Sequence, residues 1–162
     1  MLAVLDVDYR GDKAIVGCLV VRNWTDSTVT REFTVQVRNV APYEPGAFYK
    51  RELPCLIAAL AKVTEPLTTV VIDGNVWLDA GKPGLGARLH DEIKLPVVGI
   101  AKTAFKDGSF AQRVYRGQSQ RPLFVTAVGI DEVVAAKQVT MMDGDARIPA
   151  LVRRVDRLCR TS

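Results

Sequence analysis

The chain of 162 residues has a single histidine, His90, and only three cysteines, Cys18, Cys55 and Cys159, none of them in a Cys-x-x-Cys spacing. A structural zinc site needs about four clustered thiolate or imidazole ligands, so that class of scaffold is set aside. An odd number of widely separated cysteines in apolar or helical surroundings reads as reduced thiols, the state of a cytoplasmic protein, not a disulfide framework. No apolar run approaches the ~18 residues that a membrane-spanning helix needs. The opening segment MLAVLDVDYR lacks the basic stretch that begins a secretory signal, so the expected location is cytoplasmic. Repeats, low-complexity tracts and linkers are missing as well. Two common signatures also fail. GKPGLG at residues 81–86 lacks the spacing of a phosphate-binding Walker loop and does not sit in the strand-to-helix setting of a dinucleotide fingerprint, so it is expected to be a flexible loop. His90 has no serine or cysteine nucleophile in a recognisable context and is expected to be a solvated helix histidine.

What the chain does have is core-forming material. Hydrophobic residues make up 48% and charged residues 25%, enough for one domain over residues 1–162 with a sizeable core. A formal net charge of +4 fits a polyanionic partner such as nucleic acid, and fits a ribosomal or membrane-surface role as well. Residues 2–7, 14–23 and 29–37 are β-branched or alternating runs separated by short turns at Gly11 and around Asp26, and three such runs most economically form an antiparallel meander. The last of them alternates Phe33, Val35 and Val37 with Glu32, Thr34 and Gln36. Strands are then expected at 68–73, 96–101, 110–115 and 123–128, and helices at 48–64, 85–93, 131–139 and 149–160. Asp131 is a helix N-cap by type and position. The predicted fold is therefore α/β, a mixed sheet with helices on its faces.

The stretch APYEPGAFYKRELP, residues 41–54, stands out. Pro42 and Pro45 fix their own φ angles and push the preceding residues towards extended conformations, while Gly46 lets the chain bend, so Tyr43 is placed on a stiff protruding turn. Leu53, Leu56, Ile57 and Leu60 follow at i, i+3, i+4 and i+7 as an apolar stripe, with Glu52 bordering it in the first turn. Carboxylates recur at the ends of buried elements: Asp6 on the first strand with Asp8 on the same face, Glu52 on the helix, and Asp73 at the tip of TTVVID. If the first and fourth strands are neighbours and the helix crosses them, these acids converge, and the usual compensation for such repulsion is Mg²⁺ or Mn²⁺. Taken singly, each acid reads more readily as a turn or cap residue. Lys102, ending VVGIAK, could meet a phosphate or serve as a solvated strand-end lysine. Tyr43 could stack on a base or cover a core edge. The arginines 153, 154, 157 and 160 make a basic terminal helix whose simplest reading is a solvated face.

Together these segments resemble the endonuclease V family, nucleases of deaminated adenine in nucleic acid. VLDVDY is similar to the family's first metal-binding aspartate motif, PYEPGAFYKRELP to its P-Y-x-P-G-x-x-x-x-R-E-x-P motif, VVIDGN to its second aspartate motif and VVGIAK to its G-V-A-K strand; RIP at 147–149 resembles a late segment. The resemblance implies a ribonuclease H-like fold and Mg²⁺-dependent hydrolysis at the second phosphodiester on the 3′ side of inosine, leaving a 3′-hydroxyl and a 5′-phosphate. It implies that Asp6, Glu52 and Asp73 hold the metal, with Lys102 supporting phosphate charge. It further implies that Tyr43, with Pro45 and Gly46, forms a wedge beside the lesion, and that backbone near Gly46 and Gly74 receives the flipped base. Alternatives from other classes are a non-catalytic nucleic-acid-binding relative and a nuclease of branched or mismatched strands. The chain departs from the family pattern at two histidine positions, where Asp79 and Gly129 stand, and it starts at the first strand without the usual N-terminal helix; Asp131 is a candidate for a late carboxylate.

Overall fold

The computed structural model describes all 162 residues. Its first two strands, β1 (Leu2–Arg10) and β2 (Lys13–Val21), form a tight hairpin around Gly11, whose φ of +64° a glycine adopts without strain. Strand β3 (Arg31–Val37) pairs with β2 to complete the expected antiparallel meander. Helix α1 (Tyr49–Leu60) then crosses the sheet, and β4 (Thr69–Asp73) returns parallel to β1. A small hairpin of β5 (Trp77–Asp79) and β6 (Lys82–Pro83) leads into α2 (Leu85–Ile93). Strand β7 (Val97–Ala101) runs parallel to β4, and β8 (Gln112–Val114) and β9 (Leu123–Val128) extend that edge antiparallel. The chain closes with α3 (Glu132–Met141) and α4 (Ala150–Thr161). Sheet order is β3-β2-β1-β4-β7-β9-β8.

The strands that read as unbroken apolar runs are those covered on both faces. Even-numbered Leu2 and Val4 of β1 join Val71, Val98 and Val125 in a core under α3 and α4, while Ala3, Leu5, Val70 and Ile72 form a second core under α1 and α2. Helix α4 approaches β2 closely enough that a Cβ at Gly17 would meet the Val155 carbonyl at 3.0 Å.

The expected stripe of α1 is turned by one residue. Its fully buried positions are Glu52, Cys55, Leu56 and Ala59, whereas Leu53, Ile57 and Leu60 are only half-buried. Small side chains at Cys55 and Ala59 let the helix lie close on the sheet, and the larger ones pack at its flanks. That rotation carries Glu52 inward. The GKPGLG segment is ordered, not a flexible loop: Lys82 and Pro83 pair with the strand before them, and Gly84 donates to the Val76 carbonyl at 2.8 Å. A Cβ at Gly86 would sit 2.6 Å from Val76 Cγ2, so glycine there lets helix and hairpin touch. His90 is half-buried, its Nδ1 donating to the Leu95 carbonyl at 2.8 Å, and so ties down the end of α2 where a solvated side chain was expected. All three cysteines are free and buried. No helix is long and apolar enough to cross a membrane.

Candidate active site

The parallel ladder between β1 and β4 ends at Leu5↔Ile72. One residue further along each strand come Asp6 and Asp73, where β1 and β4 no longer pair with each other and side chains can turn into the gap. Strand alternation puts both acids on the face covered by α4. Glu52 reaches the same place from α1, on the opposite face. Gly99, beside Ile72 in β7, permits this arrangement, because a Cβ there would strike the Gly74 carbonyl and lie 3.0 Å from Thr126 Oγ1. The result is a cavity of about 480 Å³ lined by Asp6, Glu52, Asp73, Lys102 and, from α4, Asp156 and Arg160.

The electrostatics follow from crowding acids where water is scarce. Burial, then the Asp73 charge, raises Asp6 to about 7. Burial, then Asp6 and Asp73, raises Glu52 to about 8, and its Oε2 is buried with no hydrogen-bond partner. Asp156 is moved the other way. Burial opposes the shift, but the hydrogen bond and charge of Arg160, with the neighbouring Asp6 and Lys102, carry it below the usual carboxylate range. Arg160 Nε donates to Asp156 Oδ1 at 2.8 Å, and Lys102 Nζ to Asp73 Oδ2 at 3.3 Å.

A second cavity of about 290 Å³ shares Asp73 and Gly74 with the first and is walled by Tyr43, Gly46, Phe48 and Phe105. Tyr43 is 61% exposed, with its ring centroid 6.3 Å from that of Phe48. Gly46 adopts φ +77° at the turn, and Pro45 shapes the turn from outside the cavity wall. Asp6, Glu52, Asp73, Lys102 and Gly74 are thus gathered around two adjoining cavities, together with Tyr43 and Gly46.

Other expected acids are not. Asp8 turns to Arg10, at 2.9 Å. Asp131 caps α3, accepting from the Val133 and Val134 amides at 2.9 and 3.0 Å, which removes it as a late carboxylate. Asp79 pairs with Lys106 at 2.7 Å. At Gly129, with φ +77°, a Cβ would sit 3.0 Å from Pro96 Cα, leaving no room for an imidazole. The residue that sequence reasoning missed is Asp156. Its signal was present: it is the only acid between Leu151 and Arg160, and it adjoins Val155 on the buried side of an otherwise arginine-rich helix.

The donors at the cavity are hard oxygens suited to Mg²⁺ or Mn²⁺, and the orphaned Glu52 oxygen and the raised Asp6 and Glu52 acids are what a cation would relieve, so the residues fit such an ion in chemistry. As placed, no three His, Cys, Asp or Glu side chains stand at ligand spacing of one another.

A mixed sheet that opens with an antiparallel meander and gathers acids at the ends of its central parallel strands defines the ribonuclease H-like class. Within that class, the sequence model of endonuclease V matches residues 1–142, and the chain belongs to the endonuclease V family. The endonuclease V of Streptomyces avermitilis is 31% identical, with 96% of this chain and 77% of the relative covered. Its crystal structure superposes with a TM-score of 0.81 at 25% identity, covering 99% of this chain and 79% of that one. Ciona intestinalis endonuclease V, solved in complex with a 23mer DNA containing an inosine followed by a ribo-adenosine, has the same fold, with a TM-score of 0.82 at 19% identity and coverage of 99% and 83%.

Proposed function

We propose that this chain is a Mg²⁺-dependent endonuclease, with Mn²⁺ as a substitute, that hydrolyses a phosphodiester near inosine in DNA or RNA in the cytoplasm, and that residues 1–162 act as one domain. The observation that carries the reading is the opening of Asp6, Glu52 and Asp73, from three separate segments, onto one cavity that adjoins a second cavity walled by the Tyr43 turn. A cation held by Asp6, Glu52 and Asp73 would compensate their mutual repulsion, acidify water and neutralise phosphate charge.

The chain's own groups do the rest. Lys102, half-exposed beside Asp73, presents an ammonium to the phosphate whose charge grows as the bond breaks. Tyr43 offers an exposed aromatic face to a base displaced from the stack. Backbone at Gly46 and Gly74 lies along the adjoining cavity, within reach of such a base. Asp156, lining the same cavity as Asp6 and fixed by Arg160, completes the acidic wall. Supporting evidence from outside the chain is the inosine-containing DNA bound by the Ciona intestinalis protein.

The test uses a labelled inosine-containing oligonucleotide, with Mg²⁺ present or with chelator added, and Asp73→Ala in parallel. Cleavage that needs both the metal and Asp73 is expected. A protein that cuts nothing under Mg²⁺, or a variant that cuts as well as the parent, overturns the mechanism; binding without cleavage would favour a non-catalytic relative.

A further inference from the structure

The four arginines of α4 read in sequence as one basic face, and the structure divides them. Arg154 is paired with Glu32 of β3 at 2.6 Å, and so is occupied by the protein itself. Arg160 lines the acidic cavity and holds Asp156. Arg153 and Arg157 are exposed, and neither forms an ion pair with any acid of the chain. Residues 153, 157 and 160 follow one another at i, i+4 and i+7, the spacing of a single helix face. At a rise of about 1.5 Å per residue, Arg153 and Arg157 are roughly 6 Å apart along the axis, and Arg157 is roughly 4.5 Å from Arg160. The longer of these steps is close to the repeat of phosphates along an extended single strand, and the face ends at the cavity, which Arg160 lines. Arg116, whose guanidinium feels the Arg153 charge, is buried and committed to the carbonyls of Met142, Gly144 and Ala146, so it adds positive potential behind the row without competing for a ligand.

We infer that Arg153 and Arg157 form a phosphate track along α4 that carries the nucleic-acid backbone away from the catalytic cavity, engaging two phosphates beyond the cleaved bond. The occupant is a nucleic-acid strand, because Arg153 and Arg157 are exposed, cationic and unpaired, and they lie on the helix face that leads through Arg160 to the cavity. The inference rests on the nuclease reading above and extends it to the part of the substrate that does not react.

The experiment measures binding of an inosine-containing single-stranded oligonucleotide in chelator, where no cutting intervenes, across a salt series. Arg153→Ala and Arg157→Ala are each expected to lower the slope of log affinity against log salt by about 0.7, the contribution of one single-strand phosphate contact. Arg154→Ala, an equal loss of charge from the same helix, is expected to leave the slope unchanged. Oligonucleotides shortened by two nucleotides at one end should lose the Arg153 and Arg157 effects together. Parent binding with slopes that do not respond to Arg153→Ala and Arg157→Ala, or that fall equally with Arg154→Ala, overturns the track while leaving the nuclease reading in place. No binding by the parent protein overturns both.

Discussion

Glutamine at position 52 should remove a dependence of stability on pH that the glutamate imposes. Glu52 is 5% exposed, and its environment lifts the carboxyl from 4.5 to about 8. Between those values the folded state keeps a proton that the unfolded chain has released. Stability from this group is therefore complete below the unfolded pKa and is lost as pH rises towards the folded one, at up to about 1.4 kcal/mol per unit. Across the window from 4.5 to about 8 the ceiling is about 5 kcal/mol. Glutamine has nearly the same shape and no charge. It leaves one buried amide group poorly partnered, a cost of about 1–3 kcal/mol that is the same at every pH. The diagnostic is consequently the slope, not the intercept. Urea unfolding of both proteins in chelator, near pH 5 and again near pH 8.5, should show the difference moving in favour of Glu52→Gln by several kcal/mol. Asp6, raised to about 7, adds its own slope to both proteins and largely cancels in the comparison. Mg²⁺ added at the higher pH should restore stability to the parent far more than to the variant. Parallel pH profiles would refute the account of Glu52 as an acid strained by burial and by its neighbours.

Outcomes are also expected at three further positions. Arg147 donates to the carbonyls of Lys102, Pro122 and Arg121, so Arg147→Ala should cost about 2–3 kcal/mol in denaturant unfolding and lower turnover by displacing Lys102 from Asp73. Arg147→Lys should not restore turnover, since an ammonium lacks the planar fork that reaches three acceptors. Gly99→Ala drives a methyl into the Gly74 carbonyl and should cost about 3 kcal/mol, read as a fall in Tm of roughly 5–10 °C, with loss of cleavage. Tyr43→Ala should leave the melting curve within about 0.5 kcal/mol of the parent, because the ring is exposed, while weakening oligonucleotide binding by about 1–3 kcal/mol.

Strand and helix periodicity carried most of the architecture. The helix at residues 85–93 and the strand at 123–128 have the expected bounds, and Asp131 caps α3 as its type and position required. Errors arose where a local pattern is decided by what packs on it. Leucine and isoleucine marked one stripe on α1, but the small residues Cys55 and Ala59 set the face that meets the sheet, and Glu52 went in with them. Glycines in GKPGLG read as freedom, whereas Gly84 and Gly86 are there because Val76 and its backbone leave no room for a side chain. Asp6, Glu52 and Asp73 stood out as carboxylates at the ends of buried elements and again in the motifs. That they face one cavity follows from β1 and β4 being neighbours, which the sequence posed only as a condition. Asp156 was missed because its meaning depends on α4 lying across β1, a contact between elements roughly 150 residues apart that no local window contains.

That long-range contact also bears on the order in which the molecule is put together. Arg10 donates to the carbonyls of Cys159, Arg160 and Ser162, tying the first hairpin to the end of the last helix over separations of 149 to 152 residues. Contacts so distant in the chain bear the greatest loop-closure cost, so the meander and the βα segments can assemble before α4 seats over Gly17. The acidic cavity gains its fourth wall only at that step. The acidic cavity is therefore expected to close last, with its carboxylates open to water until α4 seats.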